Sequence, residues 1–319
     1  MADILNQPDC GGVTSTLNTG IPLCDVLLKQ PKALLLVDAG FVIPAASRGN
    51  KAAVVALLKA ATRAVRGNRV YPILDLTNYE DVTKEPSRGT VGNLSITEII
   101  LNDAIPAFKY QTRKGVLFHQ QLVAAQNASV KMMIIDSAYV LYGTKVSNGD
   151  MTGYSLSEFY AELMRFATAS EPSKYPFSVV LASLIEYKEN FAFTQLDSTV
   201  LSISGNRDVV LSKISQAANV INVALTARGG TNLGSLYPVE LAAVGAWDII
   251  NDQTAAPVTV TSVTYNSAGG YYVVTADSTA YAALATGQTM SVNLKPTAAL
   301  SALGVDGYES TGSVKIVKP

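Results

Sequence analysis

Few side chains in this sequence have the type and spacing that chemistry demands. The single histidine, His119, lies in an apolar stretch over residues 116–123. A Ser-His-Asp relay or a metal centre would rest on that one ring, so a packed or surface histidine is expected. Cys10 and Cys24 stand apart in a Gly- and Thr-rich segment, without the paired spacing of zinc ligands. Carboxylates occur together at Glu80/Asp81 and at Glu186/Glu189. Acid–base catalysis needs two carboxylates in one cleft with opposed environments, and nothing in the sequence gathers these so. Glu186 and Glu189 are expected to join two strands or face solvent. The run Gly229-Gly230-Thr231-Asn232-Leu233-Gly234 lacks the Lys-Ser/Thr ending of a phosphate loop and reads as a hairpin tip, with Arg228 at its edge. The reading is therefore of a non-enzyme with no cofactor and no metal.

What remains is charge arranged for contact. Lys59, Arg63 and Arg66 fall on one side of a helix expected over residues 51–66, with Val54, Leu57, Leu58, Ala61 and Val65 on the other. Gly67-Asn68 ends it. Glu80, Asp81 and Glu85 sit in a stretch that also holds Pro86, Gly89 and Gly92, which suits a long, mobile hairpin loop over residues 78–94. The basic side of the helix reads either as a solvated face or as a ridge that meets the acidic loop of a neighbouring copy.

The elements that must carry these charges are mostly strands. Residues 1–32 read as an irregular arm broken by Gly11-Gly12, Asn18, Gly20, Pro22 and Pro31. Strands are expected at 33–37, 70–76, 131–136 and 139–142, with a turn at Asn148-Gly149. Ser155 and Glu158 have capping-box spacing, and Phe159, Tyr160, Leu163, Phe166 and Ala167 share a helical face, so a second helix is expected over 156–169. Residues 175–187 and 191–203 read as paired strands, and 209–227 continues the β character. After Trp247 the composition turns to Val, Thr, Ser, Gly and Tyr: strands at 258–265, 271–275, 290–294 and 313–317 suggest a small immunoglobulin-like sandwich. The expected fold is mainly β with one or two short helices (α+β). It divides into an arm (1–32), a β-rich assembly domain (33–254) and a decoration domain (255–319).

Composition agrees with assembly. Basic and acidic residues nearly balance, 24 against 25, so neither nucleic acid nor an acidic membrane surface is demanded as partner. Only 15% of the chain is charged, and mean hydropathy is +0.23. Yet no apolar run approaches the roughly 20 residues that cross a bilayer, so the excess apolar surface belongs at subunit interfaces. The 15 tyrosines are scattered and are not interleaved with Arg or Lys as a base-stacking platform would be; core and interface use is expected. Met1-Ala-Asp-Ile-Leu-Asn-Gln7 carries no export signal, so Cys10 and Cys24 are expected to be reduced.

An arm, a β body with a helix, a charged hairpin at 78–94 and an appended sandwich together resemble the major tail tube proteins of long-tailed bacteriophages. That resemblance implies subunits that form rings by joining their sheets and rings that stack through a long loop and the termini. The stacking loop maps onto 78–94, the helix onto 51–66 and the outer decoration onto 257–319. It further implies a virion structural protein, assembled in the host cytoplasm, whose partners are itself and other virion proteins. DNA would be non-specific cargo during ejection, and no membrane anchor is involved. The long arm and the helix expected at 156–169 depart from that family. A major capsid protein shares the arm, the hairpin and the sandwich but needs a long spine helix. A surface carbohydrate-binding module is the reading from a different class.

Overall fold

Strand pairing dominates the chain. The computed structural model describes residues 28–91, 97–126 and 128–319. It is mainly β with short helices, an α+β arrangement, and it separates into two compact units, Met1–Ser204 and Gly205–Pro319. Residues 1–27, with Cys10 and Cys24, lie outside the described residues.

In the first unit β1 (Pro31–Asp38) leads to α1 (Lys51–Thr62), β2 (Val70–Ile73) and β3 (Leu76–Asp81). A hairpin of β4 (Ser87–Val91) and β5 (Thr97–Asn102) follows, then β6 (Ala107–Thr112) and α2 (Val116–Ala125). The chain continues through β7 (Val130–Asp136), β8 (Val140–Lys145), β9 (Met151–Thr152), β10 (Tyr154–Ala161), β11 (Tyr175–Leu181), α3 (Leu184–Lys188) and β12 (Phe191–Gln195). All but β4 and β5 join one ten-stranded sheet. β7 lies at its centre, with β1–β2 on one side, while β8–β12 and β10–β11–β6–β3 leave its other side at different points along its length. The sheet curls into a half-barrel. Its inner face buries Leu34, Ile73, Tyr110, Met132, Phe177 and Val179. Its outer face buries Leu35, Val37, Met133 and Ile135 against Val54 and Leu58 of α1. The two faces alternate along β1, as a strand buried on both sides requires.

Asn50 caps α1 by accepting the Ala53 N–H at 3.1 Å. The helix ends four residues earlier than the hydrophobic pattern suggests, so Val65 is 68% exposed instead of packed, and Arg66 follows the helix rather than riding on it. Asp38 takes over at that end, accepting the N–H groups of Gly67 (2.6 Å) and Arg69 (3.1 Å). The strand expected over 70–76 is broken at Asp75, whose φ of 63° turns the chain from β2 into β3.

Three further expectations are corrected. Residues 156–169 are not a helix: β10 runs to Ala161, and Ser155 hands its main-chain N–H and its hydroxyl to Glu186 (2.6 and 2.9 Å) instead of forming a capping box with Glu158. Residues 175–187 and 191–203 do not pair with each other; β11 lies between β10 and β6, whereas β12 pairs with β8. The acidic stretch is not one loop, because Asn78 to Asp81 belong to β3 and Ser87 to Val91 to the β4–β5 hairpin. Helix α2 was not foreseen. Gly115 precedes it with no side-chain cap and no acidic residue marks its first turn.

The second unit begins well before the expected boundary at 254/255. A hairpin of β13 (Arg207–Ala217) and β14 (Val220–Ala227) opens it, followed by β15 (Thr231–Asn232), α4 (Leu233–Leu236), β16 (Trp247–Asn251) and β17 (Pro257–Val258). Then come β18 (Val260–Asn266), β19 (Tyr271–Ala276), α5 (Ser278–Ala282), β20 (Thr289–Leu294), α6 (Thr297–Ala302), β21 (Tyr308–Ser310) and β22 (Val314–Val317). One sheet runs β18-β19-β14-β13-β21, the other β17-β16-β20-β22. They share a core around Trp247, Ile221, Val274, Val292 and Ile316. Strands on both sides of the expected boundary thus pair in both sheets, and residues 255–319 hold only part of one sandwich.

Candidate functional site

The residues that gather most densely are aromatic, at one end of the half-barrel in the first unit. Tyr79 (β3), Phe108 (β6), Tyr142 (β8), Tyr154 (β10), Tyr187 (α3) and Phe191 (β12) line a cavity of about 330 Å³, which Leu28 to Pro31 edge on one side. Their rings touch in sequence: Tyr79 to Phe108 at 5.8 Å, Phe108 to Tyr187 at 6.2 Å, and Tyr187 edge-on to Tyr154 at 5.5 Å and to Phe191 at 6.3 Å. Offset and edge-on pairs of this kind are worth about 0.5–1.5 kcal/mol beyond their buried area.

Local chemistry fixes the wall. Ser183 caps α3, and Glu186 in its first turn binds Ser155, which sets the neighbouring Tyr187 over the cavity. Asp136 is fully buried at the β7–β8 turn, where it accepts the N–H groups of Ala138 (2.8 Å) and Val140 (2.9 Å) and the Tyr142 hydroxyl (2.8 Å). The Tyr154 hydroxyl is buried and has no hydrogen-bond partner among the described residues. Burial raises the phenols of Tyr142 and Tyr154 far above their ordinary value. Burial together with the charge of Asp81 pushes Tyr79 up to about 12. These hydroxyls stay protonated at neutral pH, so the cavity offers ring faces and hydrogen bonds rather than a base.

A second feature was misread in the sequence. Beyond β10 the chain continues as an arm laid back on itself. Glu162 N–H donates to Pro176 O (3.0 Å), Arg165 and Lys174 exchange main-chain bonds (both 3.0 Å), and Thr168 N–H donates to Glu171 O (2.8 Å). This hairpin carries Leu163 at 84% exposure and Phe166 at 97%, with Met164 also exposed. Of the residues taken for one helical face, Tyr160, Leu163, Phe166 and Ala167 are exposed, whereas Phe159 is buried in the sheet's core.

The expected contact residues occupy separate elements. Glu80 and Asp81 lie exposed on β3, which among the described residues pairs with β6 alone, and Glu85 is exposed in the segment that follows. Glu80 sits opposite Lys109 in register, and both line a small polar cleft with Glu162, Arg165 and Lys174, in which Lys109 pairs with Glu162 at 3.3 Å. Asp81 accepts the Thr83 N–H at 2.9 Å. Lys59 is exposed on α1, and Arg66 is exposed past its end. Arg63 is engaged within the subunit, donating to Ser204 O (2.9 Å), Ser204 Oγ (3.2 Å) and Thr62 Oγ1 (3.1 Å).

The remaining sequence candidates have structural duties. His119 is buried on α2, with its Nε2 2.8 Å from Glu162 O; a carbonyl only accepts, so Nε2 carries the proton. Asn232 within the glycine-rich run caps α4 through the Gly234 N–H (2.7 Å) and donates to Gly270 O (2.9 Å), while Arg228 pairs with Asp208 (3.2 Å). Among the described residues no group of three or more His, Cys, Asp or Glu side chains is placed to hold a metal ion, and no helix is long and apolar enough to cross a membrane. The chain matches no protein-family model and no curated protein.

Proposed function

We propose that this chain is a structural virion protein that self-assembles, as the tail tube of a tailed bacteriophage through which DNA passes during ejection. The observation that carries this reading is the β10–β11 arm, which holds Phe166 and Leu163 in water on a main-chain-bonded support. Burying such side chains yields about 1.5–3 kcal/mol each, so an ordered arm that withholds both from its own core is suited to a neighbour. Open strand edges add to it. Among the described residues β3 and β12 each have one unpaired side, where a further strand can continue the sheet around a ring. The partners are then further copies of this chain and other virion proteins, DNA is non-specific cargo, and assembly takes place in the host cytoplasm without cofactor or catalysis. Charge at the contact is drawn from Glu80, Asp81 and Glu85 of one copy and from basic side chains of the next, Lys59, Arg63 and Arg66 among them.

Negative-stain microscopy of the purified chain, with light scattering across protein and salt concentration, tests the reading. Tubes or stacked rings are expected. Closed shells would replace the tail reading by a capsid one, and a strict monomer at every condition would end both.

A further inference from the structure

The arm and the aromatic cavity belong to one sheet, and the main-chain bonds that extend the arm past β10 hold Phe166 out in solvent. Tyr154 in the cavity wall opens β10, whereas Phe166 stands beyond its other end. At ~3.3 Å per residue the intervening chain spans roughly 30 Å or more. Each copy therefore carries an exposed aromatic knob and, elsewhere on the same sheet, an aromatic hole.

We infer that Phe166 of one copy seats in the cavity lined by Tyr79, Phe108, Tyr154, Tyr187 and Phe191 of a second copy. The inference rests on the self-assembly reading and says which surfaces meet. Three observations commit the cavity to this occupant. Its size, about 330 Å³, admits an aromatic side chain with room to spare, since a cavity of about 150 Å³ already holds a benzene ring. Its walls are ring faces and edges, the surfaces that receive another ring edge-on or offset. Its charge also matches. Asp81 is close enough to hold up the phenols of both Tyr79 and Tyr187, and exposed Arg165 directly precedes Phe166. A knob and a hole on different patches of one chain make a head-to-tail contact, which closes into a ring or runs on as a filament. Asp81 then faces Arg165 of the neighbour rather than the α1 ridge.

The test uses the full chain, followed by sedimentation velocity over a concentration series. Phe166→Ala should leave the melting temperature unchanged, since the ring touches little of its own subunit. It should also raise the concentration needed for assembly by roughly thirtyfold, as loss of a central interface anchor does. Phe166→Trp should retain assembly. Asp81→Arg and Arg165→Asp should each weaken assembly, and the two together in one chain should restore it in part. Wild-type-like assembly by Phe166→Ala would overturn the knob while leaving self-assembly standing. Failure of the charge swap to restore assembly would overturn the orientation. A wild-type chain that never assembles would overturn this inference and the functional reading together.

Discussion

The two units handle buried polarity differently. In Gly205–Pro319 the large polar-tipped side chains of the core are bonded: Trp247 Nε1–H donates to Leu241 O (2.8 Å) and the Tyr272 hydroxyl to Tyr237 O (2.7 Å). Their rings sit 5.7 Å apart at the centre of the sandwich. In Met1–Ser204 the Tyr110 and Tyr154 hydroxyls are buried without partners among the described residues, a cavity interrupts the aromatic core, and Phe166 is left in water. A buried polar group left unbonded costs about 1–3 kcal/mol, and surface of this kind is retained where something else binds. On the self-assembly reading, the contrast assigns the contact to the first unit and leaves the second as a separate body.

Cutting the chain gives the largest effect. Residues 205–319 produced alone are expected to unfold cooperatively and to stay monomeric at concentrations where the full chain assembles. Residues 257–319 alone are expected not to fold, since β14 and β16, the partners of β19 and β20, are gone. Circular dichroism and thermal melts of both fragments check this. A folded 257–319 fragment would restore the boundary that composition suggests.

That boundary shows how far the sequence could be read. Four of the strands from Val260 to Val317 were legible, because alternation and the Gly269-Gly270 turn mark them locally, while β21 was not. The domain edge was not, because β14 and β19 pair across more than forty residues and composition reports no such partner. The hairpin of β7 and β8 was legible for the same local reason. Residues 156–169 misled for a definable cause. A bulge between Leu156 and Glu158 shifts the inward side chains to Tyr154, Phe159 and Ala161, which erases the two-residue period and leaves a false helical one through Leu163 and Phe166. The cavity had no sequence signal at all, since register alone brings together rings from six separate elements.

Smaller perturbations compare the cores. Trp247→Ala removes the largest fully buried side chain and its hydrogen bond, and should cost the second unit about 3–5 kcal/mol. The melt of the first unit should be unaffected; a matching loss there would show that the two are one cooperative body. Glu186→Ala acts on the other side of the comparison. It leaves the Ser155 N–H without its acceptor and frees α3, so about 1–3 kcal/mol should be lost from the first unit, together with weaker assembly as Tyr187 leaves the cavity wall. An assembly midpoint that does not move despite the lost stability would separate the cavity from the contact.

The smallest effect is a difference in alkaline response. Burial, the largest cause in each case, raises Tyr71, Tyr79, Tyr110, Tyr142, Tyr154 and Tyr187 in the first unit, against Tyr237 and Tyr272 in the second. A phenol raised in the folded state supports folding fully below its unfolded value near 10. Above that pH the unfolded chain gives up protons first and binds fewer than the folded one, so stability falls as pH climbs toward the folded value. For Tyr79 that window is pH 10 to about 12. The first unit should therefore lose stability more steeply than the second across the window. Tyr79→Phe, which has no proton to lose, should flatten the first unit's slope by about 1 kcal/mol, a modest figure because the ring is partly in water. Thermal melts at stepped pH, read separately on the full chain and on residues 205–319, measure both slopes. Equal slopes would mean that the aromatic cavity is more open to solvent than its geometry indicates, and would remove the electrostatic half of the contrast between the two units.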